Sequence, residues 1–257
     1  MNRMINNAPK TVEKALNILE AFLNTDCPLG ISELSHKLKI NKSTIYRILQ
    51  TLYNKGYITQ DNTTNKYFLG YKILSLSGAI LNQNRLREVA RLDLEELANE
   101  TSQTVRLAIL DGKEVIYIDH VEGKDPIRLH LQMGSRGPLH CTAAGKSILA
   151  FLNKNELNNI LIKYKFKRLT PKTITDVRRL IPHLELIKKN GYSFCNEEFT
   201  KGVRAVGAPI LSIDKKVLGS IVIVAPTFRM RIKEVSRFGY KVKRYGIRIS
   251  KKMGYVV

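Results

Sequence analysis

The chain is 257 residues long, 44% hydrophobic and 25% charged, a globular composition that suits two modest domains or one large one. Its three cysteines, Cys27, Cys141 and Cys195, lack paired or CxxC spacing, which argues against a disulfide framework and a structural zinc site. No signal-like apolar region opens the sequence, and its longest apolar runs are too short to span a membrane, so a cytoplasmic protein without a membrane partner is expected.

The formal net charge of +21 points to an anionic partner such as nucleic acid but does not locate it. Most of the excess lies after residue 83. The densest basic run, residues 229–252, spaces Val235, Phe238, Val242, Tyr245 and Ile249 along one helical face, leaving the basic residues outside. A solvated helix explains that run as well as DNA does.

From the N-terminus, the spacing in residues 11–24 predicts a helix with Val12, Ala15, Leu16, Leu19, Phe22 and Leu23 on one face. A second short helix follows, with Ser32 able to cap its exposed amides. Asn41 is placed to cap a third, in which Ile45, Ile48, Leu49 and Leu52 repeat at the buried spacing and Gly56 ends the run. Strand, turn and strand over residues 57–70 complete a winged helix-turn-helix. The third helix leaves Lys42, Ser43, Thr44, Tyr46, Arg47 and Gln50 facing outward. Hydroxyls and Lys/Arg suit phosphates, whereas Arg and Gln carry the donor forks that read base edges in the major groove. With Ser32, and with Lys66 reaching phosphate from the wing, these form the candidate contacts to double-stranded operator DNA.

Residues 71–86 have helical apolar spacing but no core of their own, and read as a linker helix. A further amphipathic helix precedes two strands joined at Asp111-Gly112, a strong hairpin signal. Residues 126–133 read as another strand. Helices are expected at 143–152, 154–163 and 176–190, and three more strands precede the C-terminal helix. Helices mixed with mainly antiparallel strands define an α+β class.

The stretch "CTAAGKSILAF" (141–151) contains the Gly-Lys-Ser of a phosphate-binding loop. A true P-loop needs a glycine five positions before Gly145, where His140 stands, and Pro138 removes an amide from any nest upstream. The expectation is therefore a solvated Lys146 on the first turn of an amphipathic helix, with no cofactor.

The segments "VEKALNILEAF", "GISELSHKLKINKSTIYRILQTLYNKGYI" and "YFLGYKIL" closely resemble the DNA-binding domain of the isocitrate lyase regulator (IclR) family of bacterial transcription factors. "CTAAGKSILAF" and "GYSFCNEEFTKGVRAVGAPI" resemble that family's effector-binding domain, a GAF-like α+β sensor. The resemblance implies a winged helix-turn-helix over 8–70, a linker helix over 71–84 that helps subunits meet, and an effector domain over 85–257. It also implies a homo-oligomer, a dimer or dimer of dimers, that represses a catabolic operon in response to an organic acid or aromatic metabolite. Carried over by position, the effector pocket is lined by Ala143, Ala144, Cys195, Ala205, Val222 and Val224, with Leu129, Leu131 and Met133 as an apolar wall. Cys195 stands where some members have aspartate, and Val222 and Val224 where some have serine, so a more apolar pocket is expected.

Two competing readings remain. An enzyme in the second half could use His120, His140 or Cys195 as nucleophile or base, although no supporting motif accompanies them. A nonspecific nucleic-acid binder could act by charge alone. Convergence of His140, Cys141 and Cys195 on a metal is not enforced by any spacing, and no metal is expected.

Overall fold

A computed structural model describes residues 9–23, 25, 27–124 and 132–256. The chain divides into two compact units, Met1–Gln83 and Asn84–Val257.

In the first unit α1 (Lys10–Glu20), α2 (Ile31–Leu38) and α3 (Lys42–Asn54) precede a two-stranded antiparallel wing, β1 (Ile58–Gln60) and β2 (Tyr67–Leu69), and then α4 (Lys72–Asn82). Its core joins Ile18, Phe22, Leu34, Ile45, Ile48, Leu49, Leu52, Ile58 and Tyr67. Each large side chain fully buried here is worth about 1.5–3 kcal/mol. Gly56 has φ +77°, the left-handed conformation that lets the chain leave α3 for the wing. Leu29 and Tyr67 exchange backbone hydrogen bonds of 3.1 and 2.9 Å, tying the α1–α2 connection to the wing.

Several expectations for this unit are corrected. α1 ends at Glu20, and it buries Ile18 while Val12, Leu16 and Leu23 stay exposed. Phe22 is buried and Ala15 and Leu19 pack against the core as expected, so the buried stripe is only partly rotated from the expected face. α2 starts two residues earlier than a Ser32 cap requires: Gly30 occupies the cap, and its N–H donates to Glu33 Oε2 at 2.7 Å. Asn41 does cap α3, but through its carbonyl, which accepts from the Thr44 and Ile45 amides; its side chain makes no capping bond. Along α4, Leu74, Leu76 and Ile80 are exposed, and no residue is buried.

The second unit begins with α5 (Arg85–Thr101), β3 (Thr104–Asp111) and β4 (Glu114–Val121), and continues through β5 (Arg136–Pro138), α6 (Ala143–Phe151), α7 (Lys154–Leu161) and α8 (Val177–Asn190). β6 (Ser193–Asn196), β7 (Val203–Leu211), β8 (Val217–Pro226) and α9 (Val235–Lys252) follow. The six strands form one antiparallel sheet in the order β5-β4-β3-β8-β7-β6. Gly112 turns the β3–β4 hairpin with φ +61°. The expected strand at 126–133 falls mostly outside the described residues. β5 was not anticipated; it is short, and Pro138 within it can sit only where no ladder donor is needed.

Helices cover both faces of this sheet. α6 and α8 lie on one, packed with Ala108, Tyr117, Cys195, Ala205, Val222 and Val224. α5 and α9 lie on the other, α9 burying Val235, Phe238, Val242, Tyr245 and Ile249 as its spacing implied. The basic residues of α9 are not simply solvated, however. Lys252 donates to Asp93 at 2.7 Å, Arg248 to Asp93 and Glu96, and Arg244 to Glu100 at 2.6 Å, so much of this positive charge is paired with acids of α5.

Candidate functional site

The first unit carries a candidate nucleic-acid interface. Burial of Ile45, Ile48, Leu49 and Leu52 turns the opposite face of α3 outward, leaving Lys42, Ser43, Tyr46 and Arg47 exposed and Thr44 and Gln50 partly so. Ser32, Tyr46, Gln50 and Lys66 line one groove of about 600 Å³ between the start of α2, α3 and the wing. Thr44 and Arg47 border a second groove, of about 370 Å³, against Thr11, Val12 and Ala15 of α1. The expected contacts are therefore grouped on α3 and its flanks, with Arg47 in the second groove. No acidic residue lies in the first turn of α3, so its amides and dipole favour phosphate.

Lys66 is already engaged. Its ammonium lies 2.8 Å from Glu33 Oε1, in a pair exposed on both sides. The Lys66 hydrogen bond, followed by that from the Gly30 amide, holds the Glu33 carboxyl below its ordinary range. An exposed pair of this kind is weak and exchanges readily. At the wing tip, Asp61 Oδ1 accepts from the Thr63 and Thr64 amides at 2.9 and 2.6 Å, an Asx turn that fixes the loop carrying Lys66.

The second unit carries the other candidate site, at the start of α6. Thr142 caps the helix, its hydroxyl accepting from the Gly145 amide at 3.0 Å. A Cβ on Gly145 would come within 2.4 Å of the Leu139 backbone, and one on Gly207 within 3.0 Å of the Ala143 carbonyl. The glycine of Gly-Lys-Ser thus serves close packing, and α6 is pressed onto β7. Ser147 donates to the Ala144 carbonyl and bonds Ser220 of β8 at 2.7 Å, while Ser193 of β6 donates to the Ala143 carbonyl at 2.6 Å.

The expectation of a solvated Lys146 is overturned. Residues 143–150 are all buried, so α6 is not amphipathic, and Lys146 is 0% exposed. Its ammonium lies 2.6 Å from Glu198 Oε1 and donates to the Phe194 carbonyl at 2.6 Å. This bond fastens α6 to β6 and the turn after it. The partner acid, 52 positions downstream, carries no local sequence signal.

Ala143, Ala144, Cys195, Ala205, Val222 and Val224 fall in one buried apolar cluster. The apolar wall fares differently: Leu129 and Leu131 lie outside the described residues, and Met133 is 43% exposed, in the turn at Gly134 (φ +83°) that leads to β5. Two residues on the same face escaped sequence reasoning. In the strand register Ser193, Gly207, Val222 and Arg106 stand side by side, as do Cys195, Ala205, Val224 and Thr104, and Tyr117 stands beside Ala108. Arg106 is 7% exposed and Tyr117 6%, with the guanidinium carbon 5.7 Å from the ring centroid. An arginine in a run of apolar β residues was the available signal.

Burial pushes the Cys195 thiol up to about 11 and the Cys141 thiol up to about 12. A nucleophilic or metal-binding thiolate needs the opposite shift. The Cys195 thiol instead donates to the Cys141 carbonyl at 3.1 Å. His140 is buried, its ring nitrogens 3.0 Å from the Tyr164 hydroxyl and 3.1 Å from the Lys167 carbonyl, and burial lowers its pKa. Both nitrogens are committed to structural partners. Among the described residues no group of three or more His, Cys, Asp or Glu could hold a metal ion.

A winged helix-turn-helix followed by an α+β unit, whose sheet is roofed by a helix start over small side chains, defines a transcriptional regulator joining a DNA-reading module to an effector module. Residues 11–62 match the IclR helix-turn-helix domain and residues 78–251 the bacterial transcriptional regulator IclR C-terminal domain. The chain belongs to the IclR family of transcriptional regulators. It is 33% identical to the HTH-type transcriptional regulator XynR of Escherichia coli (strain K12), over 96% of this chain and 98% of that one. KdgR of the same organism is also 33% identical, over 95% of this chain and 93% of its own length. The crystal structure of the Thermotoga maritima IclR superposes with a TM-score of 0.79 at 32% identity, covering 96% of this chain and 99% of that one. Among the described residues no helix is long and apolar enough to cross a membrane.

Proposed function

We propose that this protein is a cytoplasmic repressor of a catabolic operon that binds a two-fold operator as a homo-oligomer and changes its affinity when a small metabolite occupies the α6-covered face. The observation that carries the DNA half is the grouping of Ser32, Tyr46, Gln50 and Lys66 around one groove, with Arg47 exposed on the same helix and lining the second. Arg47 and Gln50 are the base-reading pair in this proposal; Lys42, Ser43, Thr44, Tyr46, Ser32 and Lys66 hold backbone. In a dimer or dimer of dimers, two copies of α3 would meet half-sites about one helical turn apart. The linker over 71–84 would help the subunits meet, since Leu74, Leu76 and Ile80 of α4 are exposed.

The effector half rests on Ala143, Ala144, Cys195, Ala205, Val222 and Val224 lying in one cluster at a helix start. A ligand there shifts the equilibrium only through differential binding to one state. The test is fluorescence anisotropy of the full-length protein on DNA from upstream of its own gene and on random DNA, with and without small organic acids. Preference for the upstream sequence, altered by at least one acid, is expected. Equal affinity for both DNAs, with a steep salt dependence, would leave a nonspecific binder instead.

A further inference from the structure

Much of the positive charge of the second unit is compensated where it stands, since the cations of α9 pair with the acids of α5. A group between α7 and α8 is not. Residues 157–175 contain no Asp or Glu, yet they include Lys163, Lys165, Lys167, Arg168 and Lys172. Lys172 is paired with Glu197 at 2.5 Å. Lys163, Lys165, Lys167 and Arg168 are exposed and form no ion pair among the described residues.

The segment that carries them is fixed from within. Tyr164 and Phe166, which alternate with the lysines, are partly buried and pack edge-on against each other and against His140, with centroids 5.0–5.5 Å apart. The Tyr164 hydroxyl accepts from the Leu139 amide at 2.9 Å, and the His140 ring lies 3.1 Å from the Lys167 carbonyl. The Lys167 amide donates to the Lys165 carbonyl at 3.0 Å, closing a tight turn at Phe166. Lys113, in the turn between β3 and β4, donates to the Ile162 carbonyl at 2.6 Å and brings a fifth exposed cation to the start of the run. The backbone is thus tied to the segment that leads into α6, and the charges stand outside.

Four like charges within six residues repel one another, a cost that an anionic surface relieves. A protein partner would seek aromatic anchors at the centre of such a surface. Here the aromatic side chains are turned inward, and the exposed Ile162 and Leu169 bracket the cations without interrupting them. Point charges lacking an apolar anchor suit phosphates, which are held by charge and carry no sequence information. The reading module is also the less charged part of the chain: residues 1–83 hold 10 Lys/Arg against 5 Asp/Glu, and residues 84–257 hold 33 against 17.

We propose that Lys163, Lys165, Lys167 and Arg168 form a second DNA contact, which grips backbone phosphates flanking the operator without reading their sequence. The inference goes beyond the regulator reading and rests on its DNA half: α3 chooses the site, and this segment adds salt-dependent affinity beyond it.

The test is hydroxyl-radical footprinting of the full-length protein on DNA from upstream of its own gene, with anisotropy from about 50 to 200 mM salt. Lys163→Gln/Lys165→Gln/Lys167→Gln should keep the protected centre and the preference over random DNA, but lose protection at the flanks. Its slope of log affinity against log salt should fall by about 0.9 for each phosphate released. The single Lys165→Gln should show part of that loss, and the triple Lys→Arg variant at the same positions should show none. Lys188→Gln/Lys189→Gln/Lys201→Gln removes the same charge from other exposed positions of the second unit and should leave the flanks protected. Circular dichroism checks each fold. A folded strap variant with an unchanged footprint and slope, the outcome if these cations serve an acidic protein instead, would overturn the assignment. So would an equal loss in the Lys188/Lys189/Lys201 variant, which would reduce the effect to bulk charge. A wild-type protein that does not prefer its upstream DNA strikes the regulator reading itself, so the two failures are told apart.

Discussion

Removing the Lys146 ammonium tests the central bond of the effector unit. Lys146→Met keeps the length and most of the volume of the side chain, so little cavity term arises. What is lost is the 2.6 Å pair with Glu198 and the 2.6 Å donation to the Phe194 carbonyl. Glu198 then keeps a single donor at Oε1, the Asn196 amide at 3.2 Å, around a carboxylate that is itself buried. Breaking one side of a buried pair costs about 3–5 kcal/mol, because the remaining charge is uncompensated. For a unit of this size each kcal/mol moves Tm by roughly 2–4 °C, which predicts a fall of about 6–20 °C. Differential scanning calorimetry of the full-length protein should place that fall in the transition of the second unit. The double variant Lys146→Met/Glu198→Gln should recover a large part of it, since no unpaired charge remains. A single variant that loses less than about 1 kcal/mol, or a double variant no better than the single, would refute the claim that the pair carries this stability.

Other outcomes are expected on the same grounds. Arg47→Ala and Gln50→Ala should each reduce discrimination between operator and random DNA by about 1–3 kcal/mol in competitive anisotropy; an unchanged ratio would displace α3 as the reading helix. Lys66→Ala should weaken both DNAs alike and lower the salt slope by about one, whereas Glu33→Gln, which releases Lys66, should strengthen both. Gly207→Val should destabilise the second unit, since a Cβ alone would lie 3.0 Å from the Ala143 carbonyl, and calorimetry reads the loss. His140 is held by burial below its ordinary 6.5, so the unfolded chain takes up this proton first as the pH falls. Stability from the neutral ring is therefore complete above about pH 6.5 and lost progressively as the pH drops towards the folded value. His183, lowered by burial as well, contributes in the same window. The Tm against pH profile should flatten in His140→Gln.

Local periodicity made the helices, the hairpin at Gly112 and the α9 core stripe legible in the sequence, because each is set by residues within two or three turns. Non-local partners were not legible. Lys146 read as solvated because Glu198 and Phe194 reach it only across the sheet. Arg106 was overlooked because a positively charged residue in a strand normally marks a solvent face, and only the register with Val222 puts it under α6. Val12, Leu16 and Leu23 fit an apolar face on paper, but among the described residues the core takes in Ile18, Ala21 and Phe22, with Ala15 and Leu19 at its edge, and leaves those three exposed. Ser32 looked like a cap until Glu33 supplied the bond to Gly30 instead.

The seam between α5 and α9 has a consequence for how the two helices find their alignment. All its acids, Asp93, Glu96 and Glu100, are on α5, and all its bases, Lys241, Arg244, Arg248 and Lys252, are on α9. The partners descend along α9 as they ascend along α5, so the helices run in opposite directions and each rung is about one turn from the next. An apolar interface alone would tolerate sliding by a turn, because the buried stripe repeats at nearly the same interval. Sliding by a turn in one direction would put Val256 where Lys252 now stands and so strip one of the two bases from Asp93, whose side chain is 0% exposed. The ladder therefore works as a one-way stop, setting how far α9 can travel past the buried carboxylate before a charge is left uncompensated.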